Sequence, residues 1–223
     1  MELIEYADTD MMMISLAGAL SRDLRAALGR RERAVFCVPG GTTPGPVFDM
    51  LAAVDLNWAN VDIVLSDERF VPEDHARSNA ALVRGRLLQD RASAARLIPM
   101  WRRGMLPEQA ASAVSAEIAP LLPIDVALLG MGVDMHTASL FPDAPRLDLA
   151  LADDAPPVMA LDVPGQPEPR LTLTAKVLRK AFALHLVITG ADKRAALARA
   201  EDADPLEAPV AALLGQASVH WAQ

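Results

Sequence analysis

A single cysteine, Cys37, stands among 223 residues, so no internal disulfide can staple the chain and its fold must rest on packing. Aromatic residues are scarce, at five Phe, three Trp and one Tyr. Positive charge is short as well: 21 Lys and Arg face 29 Asp and Glu, for a formal charge of -8. The chain therefore offers neither a stacking platform nor a basic footprint for nucleic acid. An acidic balance does not exclude an anionic substrate, because a phosphate is held by a few local donors. Long apolar runs are missing too. Ile14, Leu16, Ala17, Ala19 and Leu20 are interleaved with Ser15 and Ser21 and followed by Arg22 and Asp23, too short and mixed a patch to span a bilayer. It predicts a buried helix face, and no membrane partner is expected. The opening Met1-Glu2-Leu3-Ile4-Glu5 lacks the basic region and apolar stretch of a signal peptide, so a cytoplasmic location is expected.

Apolar residues are plentiful, at 52% of the chain, which is ample for a sizeable core. Short β-rich runs at 34–38, 61–65, 124–129, 158–163 and 182–189 alternate with helical stretches at 10–28, 44–53, 79–88, 107–119 and 191–200. A last helix over 209–214 and a strand near 218–221 follow. This alternation predicts an α/β, Rossmann-like fold, a mostly parallel central sheet with helices on both faces. The near-continuous apolar character of Ile124 to Leu129 places that strand at the centre of the sheet. Prolines gather between Asp143 and Pro169, marking irregular connections. No linker divides the chain, and residues 1–223 read as one domain.

In open parallel sheets ligands sit beyond the carboxyl ends of the strands. The loops after the predicted strands hold the candidate chemistry. Pro39-Gly40-Gly41-Thr42-Thr43-Pro44-Gly45 is a glycine-rich turn opening a helix, with free backbone N–H groups and two hydroxyls for an anion; an ordinary tight turn reads equally well. Ser66-Asp67-Glu68-Arg69-Phe70-Val71-Pro72 packs acids and a base beyond an apolar strand. Arg69 suits bidentate phosphate contact, while the plainer reading is an ion-pair network in which one acid caps a neighbouring helix. Ser78 or Asn79 reads as a helix cap more than as a ligand.

Gly130-Met131-Gly132-Val133-Asp134-Met135-His136 brings a carboxylate and an imidazole two residues apart. A histidine can draw a proton from water near neutral pH, and a nearby carboxylate fixes its tautomer. His136 is the candidate base. The third glycine of a dinucleotide fingerprint is missing, so NAD is not expected. His185 and His220 read as structural, His75 sits in a polar loop, and no spacing compels a metal site. Arg170 and Lys193 could each reach a phosphate, although alone each reads as a surface salt bridge or a solvated helix face.

With these residues in view, the chain resembles the 6-phosphogluconolactonase family. The resemblance rests on Gly40-Gly41-Thr42-Thr43-Pro44, on Asp67-Glu68-Arg69-Phe70-Val71-Pro72 with Ser78-Asn79, and on Gly130-Met131-Gly132 through Asp134, His136 and Thr137 to Pro142. Arg170-Leu171-Thr172 and Ile188-Thr189-Gly190 with Lys193 extend it. It implies a Rossmann-like fold shared with glucosamine-6-phosphate deaminases, and hydrolysis of 6-phospho-D-glucono-1,5-lactone to 6-phosphogluconate in the oxidative pentose phosphate pathway. No cofactor and no metal are implied. Carried over by position, His136 would activate water with Asp134 supporting it. Arg69, Arg170 and Lys193, with Asp67 and the Gly40, Gly41, Thr42 and Thr43 loop, would hold the phosphorylated lactone. Met135 departs from the glycine common at its position and would be strained at a positive φ. Two alternatives are an aminosugar-phosphate deaminase, disfavoured because Leu140-Phe141-Pro142 stands where those relatives carry an acid, and a non-catalytic sugar-phosphate sensor.

Overall fold

The computed structural model describes residues 1–223. Ten strands form: β1 (Glu2–Glu5), β2 (Ala34–Val38), β3 (Val61–Leu65), β4 (Asp67–Arg69), β5 (Arg96–Ile98), β6 (Val126–Gly130), β7 (Val158–Leu161), β8 (Arg170–Leu173), β9 (Ala183–Thr189) and β10 (Ala217–Ala222). The helices are α1 (Thr9–Leu28), α2 (Gly45–Ala52), α3 (Asn79–Arg86), α4 (Pro107–Ile118), α5 (Leu147–Leu151), α6 (Ala175–Leu178), α7 (Ala191–Ala200) and α8 (Ala211–Leu214). Seven strands make a parallel sheet in the order β1-β10-β9-β6-β2-β3-β5. β6 is its middle strand, as its apolar run predicts. Every residue of β2 and β3 is buried, as strands covered on both faces require.

α1 shows how sequence pattern becomes packing. Asp8 caps its start by accepting from Met11 N at 2.7 Å, and Met12, Leu16, Leu20 and Leu24 bury completely at four-residue spacing, one stripe of a 3.6-residue period. Each such side chain contributes roughly 1.5–3 kcal/mol through the surface it removes from water. Ile14, expected on the buried face, points away from this stripe and is 56% exposed. No helix of the molecule is long and apolar enough to cross a membrane.

A second sheet, β4-β8-β7, is antiparallel. The segment Asp67–Arg69, expected as a loop, is its edge strand. Ser66 is the seam between the sheets: its N–H donates to Val38 O at 2.8 Å, and its carbonyl accepts from Leu173 N at 2.8 Å. β3 and β4 are therefore separated by one residue, and Asp67 emerges directly above the carboxyl ends of β2 and β3.

Candidate active site

The strand order reverses between β2 and β6, which leaves a crevice at their carboxyl ends, the usual ligand position in open α/β sheets. A cavity of about 530 Å³ occupies it. Its walls come chiefly from four sequence-distant pieces, the loop after β2, β4 with its partner β8, the loop after β6 and the start of α7, joined by Asn79, Gln166 and Val187.

One wall is cationic. In the β4–β8 register Arg69 lies directly opposite Arg170, so two guanidiniums project from one side of the small sheet, an arrangement that repels unless an anion lies between them. Arg170 is only 4% exposed. Burial and then the charge of Arg69 pull its guanidinium below the ordinary arginine range. The Nε atoms of both arginines are buried without a partner. Asp67 compensates in part, with Oδ2 at 3.9 Å from Arg170 Nη1, and it accepts from the hydroxyls of Ser66 at 2.9 Å and Ser139 at 2.6 Å.

Glu68 faces away from this pair and takes the capping role foreseen for one of the acids. It accepts from Asn79 N at 2.7 Å, Ala80 N at 2.8 Å and Ser78 Oγ at 3.0 Å. These bonds anchor the first turn of α3, although burial still raises the Glu68 carboxyl above its usual range. Ser78 is the N-cap, whereas Asn79, expected as a cap more than a ligand, lines the cavity. A Cβ on Gly40 would lie 2.0 Å from Asn79 Oδ1, so glycine lets the β2 loop close against α3.

The other wall holds Asp134 and His136, whose Oδ1 and Nδ1 are 2.5 Å apart. A carboxylate only accepts, so Nδ1 carries the proton and Nε2, which has no protein partner, is left as the basic nitrogen. Phe141 stacks on the imidazole at 3.9 Å between centroids. Burial opposes the Asp134 charge, but the hydrogen bond and charge of His136 hold its carboxyl below the usual range. A Cβ on Gly132 would lie 2.3 Å from both Asp134 Oδ1 and His136 Nδ1; only glycine leaves room for the pair. Met135 between them has φ 65°, the left-handed conformation in which methionine is strained.

Lys193, from the first turn of α7, also faces the cavity. Burial lowers its ammonium from the ordinary lysine value against the opposing pull of Asp134, which puts it toward the carboxylate–histidine end. The cavity thus gathers Gly40, Gly41, Thr43, Asp67, Arg69, Asp134, His136, Arg170 and Lys193. Thr42 is not among its walls: it is exposed, and its carbonyl closes the turn by accepting from Gly45 N. Gln166, unmarked by any motif, lines the cavity as well. His75 is exposed, while His185 and His220 are buried outside the cavity lining in a hydrogen-bond chain of their own.

Fold and crevice define an α/β protein whose cavity sets a pair of arginines in the same space as a carboxylate–imidazole pair. Residues 7–221 match the family model described as glucosamine-6-phosphate isomerases/6-phosphogluconolactonase, and the chain belongs to that family. It is 42% identical to the 6-phosphogluconolactonase of Rhizobium meliloti, over 93% of this chain and 94% of that protein. It is 41% identical to the Pseudomonas aeruginosa 6-phosphogluconolactonase, over 92% and 88%. The crystal structure of a 6-phosphogluconolactonase from Shewanella baltica superposes with a TM-score of 0.95 at 30% identity, covering 100% of this chain and 97% of that one.

Proposed function

We infer that this chain hydrolyses 6-phospho-D-glucono-1,5-lactone to 6-phosphogluconate in the oxidative pentose phosphate pathway, residues 1–223 acting as one sugar-phosphate-binding domain. The observation that carries this reading is the opposition of two poles in one cavity. Arg69 and Arg170, facing each other across two strands on the cavity wall with only Asp67 to offset them in part, suit an anion. His136, with Nε2 free and Nδ1 tied to Asp134, offers a base. A molecule carrying a phosphate at one end and a hydrolysable carbonyl at the other satisfies both. The names of the relatives agree with it.

In this mechanism His136 Nε2 takes a proton from water as the water oxygen bonds to the lactone carbonyl carbon. Asp134 steadies the imidazolium that forms. The tetrahedral intermediate collapses, the bond from carbon to ring oxygen breaks, and His136 returns its proton to that oxygen. The product is an open-chain acid that ionises at neutral pH. Arg69, Arg170 and the Gly40, Gly41 and Thr43 wall hold the phosphate. Lys193, nearer Asp134, stabilises negative charge developing on the carbonyl oxygen. An activated ester needs little more than an aligned water, a base and these donors.

The test is to generate the phosphorylated lactone in situ at fixed pH and follow its disappearance with and without protein, since it also opens unaided. Clear acceleration over the blank is expected. A rate equal to the blank would overturn the assignment in favour of aminosugar-phosphate chemistry or ligand sensing.

A further inference from the structure

Gln166 sits in the connection between β7 and β8, among prolines and outside every motif. Its Oε1 accepts from Arg170 Nη2 at 2.8 Å. A guanidinium only donates, so this contact fixes the orientation of the amide: the oxygen faces Arg170, and Nε2 with its two N–H groups is turned elsewhere. No protein group accepts from Nε2, and the side chain forms part of the cavity wall that also contains Arg69 and Arg170.

The local backbone is shaped to present it. Gln166 N donates to Val163 O at 3.0 Å, closing a turn in which Gly165 has φ 74°, a conformation that favours glycine. The following segment is tied back to the edge of β4, where Phe70 N donates to Pro169 O at 2.8 Å and Arg77 pairs with Glu168 at 3.1 Å. Pro164, Pro167 and Pro169 narrow the backbone freedom of the segment, so little further order is lost on binding.

We propose that Gln166 is a specificity-determining residue for the phosphoryl group, donating its amide N–H to a phosphoryl oxygen while its carbonyl holds Arg170 in place. This rests on the lactonase reading above. The arginines supply charge, and a neutral amide adds directed donors without increasing the repulsion between them. A hydrogen bond to a charged acceptor is worth enough to change affinity about tenfold or more, and one made equally in ground and transition states appears in KM rather than kcat.

The experiment compares wild type, Gln166→Ala and Gln166→Glu with the phosphorylated lactone and with unphosphorylated gluconolactone. Calorimetric titration with 6-phosphogluconate and inorganic phosphate runs alongside. Gln166→Ala is expected to raise KM for the phosphorylated lactone about tenfold, with kcat within about threefold and no change for the unphosphorylated one. Gln166→Glu keeps an acceptor for Arg170 but loses the donor and adds negative charge; a KM rise of about a hundredfold is expected. Equal effects on both lactones would overturn the proposal, and so would a Gln166→Glu variant that behaves like wild type, which would leave Gln166 only an anchor for Arg170. An inactive wild type would instead sink the lactonase reading. Phosphate affinity would then decide Gln166 on its own: weaker binding by both variants supports the role, and unchanged binding removes it.

Discussion

The molecule contains two aspartate–histidine pairs, and nearly everything around them differs. Asp134 and His136 stand two residues apart on a loop, half open to solvent, with one imidazole nitrogen unused. Asp23 and His185 come from α1 and β9 and meet at 3.0 Å with the histidine side chain only 7% exposed. The second nitrogen of His185 is taken, because Nδ1 lies 3.0 Å from His220 Nε2, and His220 Nδ1 lies 2.8 Å from the Tyr6 hydroxyl. Read as one directed chain, Tyr6 donates to His220, His220 to His185 and His185 to Asp23, with both rings neutral. The difference teaches that a free second nitrogen beside a cavity, rather than the pair itself, makes a histidine available for chemistry.

Substitution separates the two pairs most sharply. His136→Ala should lower lactone turnover by roughly a hundred- to ten-thousand-fold while leaving the thermal midpoint near that of wild type. His185→Ala should do the reverse, with turnover of the folded protein within about threefold and stability lower by about 2–3 kcal/mol, as buried partners lose their hydrogen bonds. Steady-state kinetics and urea unfolding on both variants read this double dissociation, and similar losses of activity in the two would erase the distinction.

Acid provides the next test. Burial, with His185 adding to it, lowers the His220 imidazole to about 4, whereas in the unfolded chain it titrates near ~6.5. Between those values the unfolded chain binds a proton that the folded one does not, so stability falls as pH drops through this window, by on the order of 3 kcal/mol. Burial also lowers His185, against the pull of Asp23, and acts in the same direction. Urea unfolding at pH 7 and at pH 4.5 should show the loss in wild type and a shallower one in His220→Gln. Parallel pH profiles for the two proteins would count against the chain as the origin.

The smallest effect concerns the backbone of the open pair. Met135→Gly removes left-handed strain but loosens the unfolded chain and gives up some packing, so stability should stay within about 1 kcal/mol and activity close to wild type. Met135→Val, β-branched and poorly suited to positive φ, should cost about 1–3 kcal/mol and reduce turnover. Activity unchanged in the valine variant would show that the loop does not need this conformation.

The long elements and three of the site loops were legible in the sequence because each carries a strong local signal. β2 is an unbroken apolar run and β3 one interrupted only by Asp62, α1 and α4 have helical period with a first-turn proline opening α4, and the residues after β2 bring glycines, those after β3 charge and those after β6 both. β4 was not legible: Asp67-Glu68-Arg69 is three polar residues whose strand character comes from pairing with β8, about a hundred positions away. For the same reason, the Arg69–Arg170 opposition had no signal beyond the two residues themselves. Asn79 was hidden by its neighbour Ser78, since either can cap a helix, and Gln166 by a proline-rich stretch without period. Thr42 was drawn in by its neighbours, and only the direction of the turn excludes it.

Ser66 makes chain length itself a coded quantity. With one residue between the sheets, side chains alternate without interruption from the core strand into β4, and this parity brings Asp67 and Arg69 to the cavity side while Glu68 turns to α3. One residue more or less at that seam would exchange the two sets, turning the Arg69 guanidinium away from the cavity and the Glu68 carboxylate toward it. The count between Leu65 and Asp67 therefore has no slack.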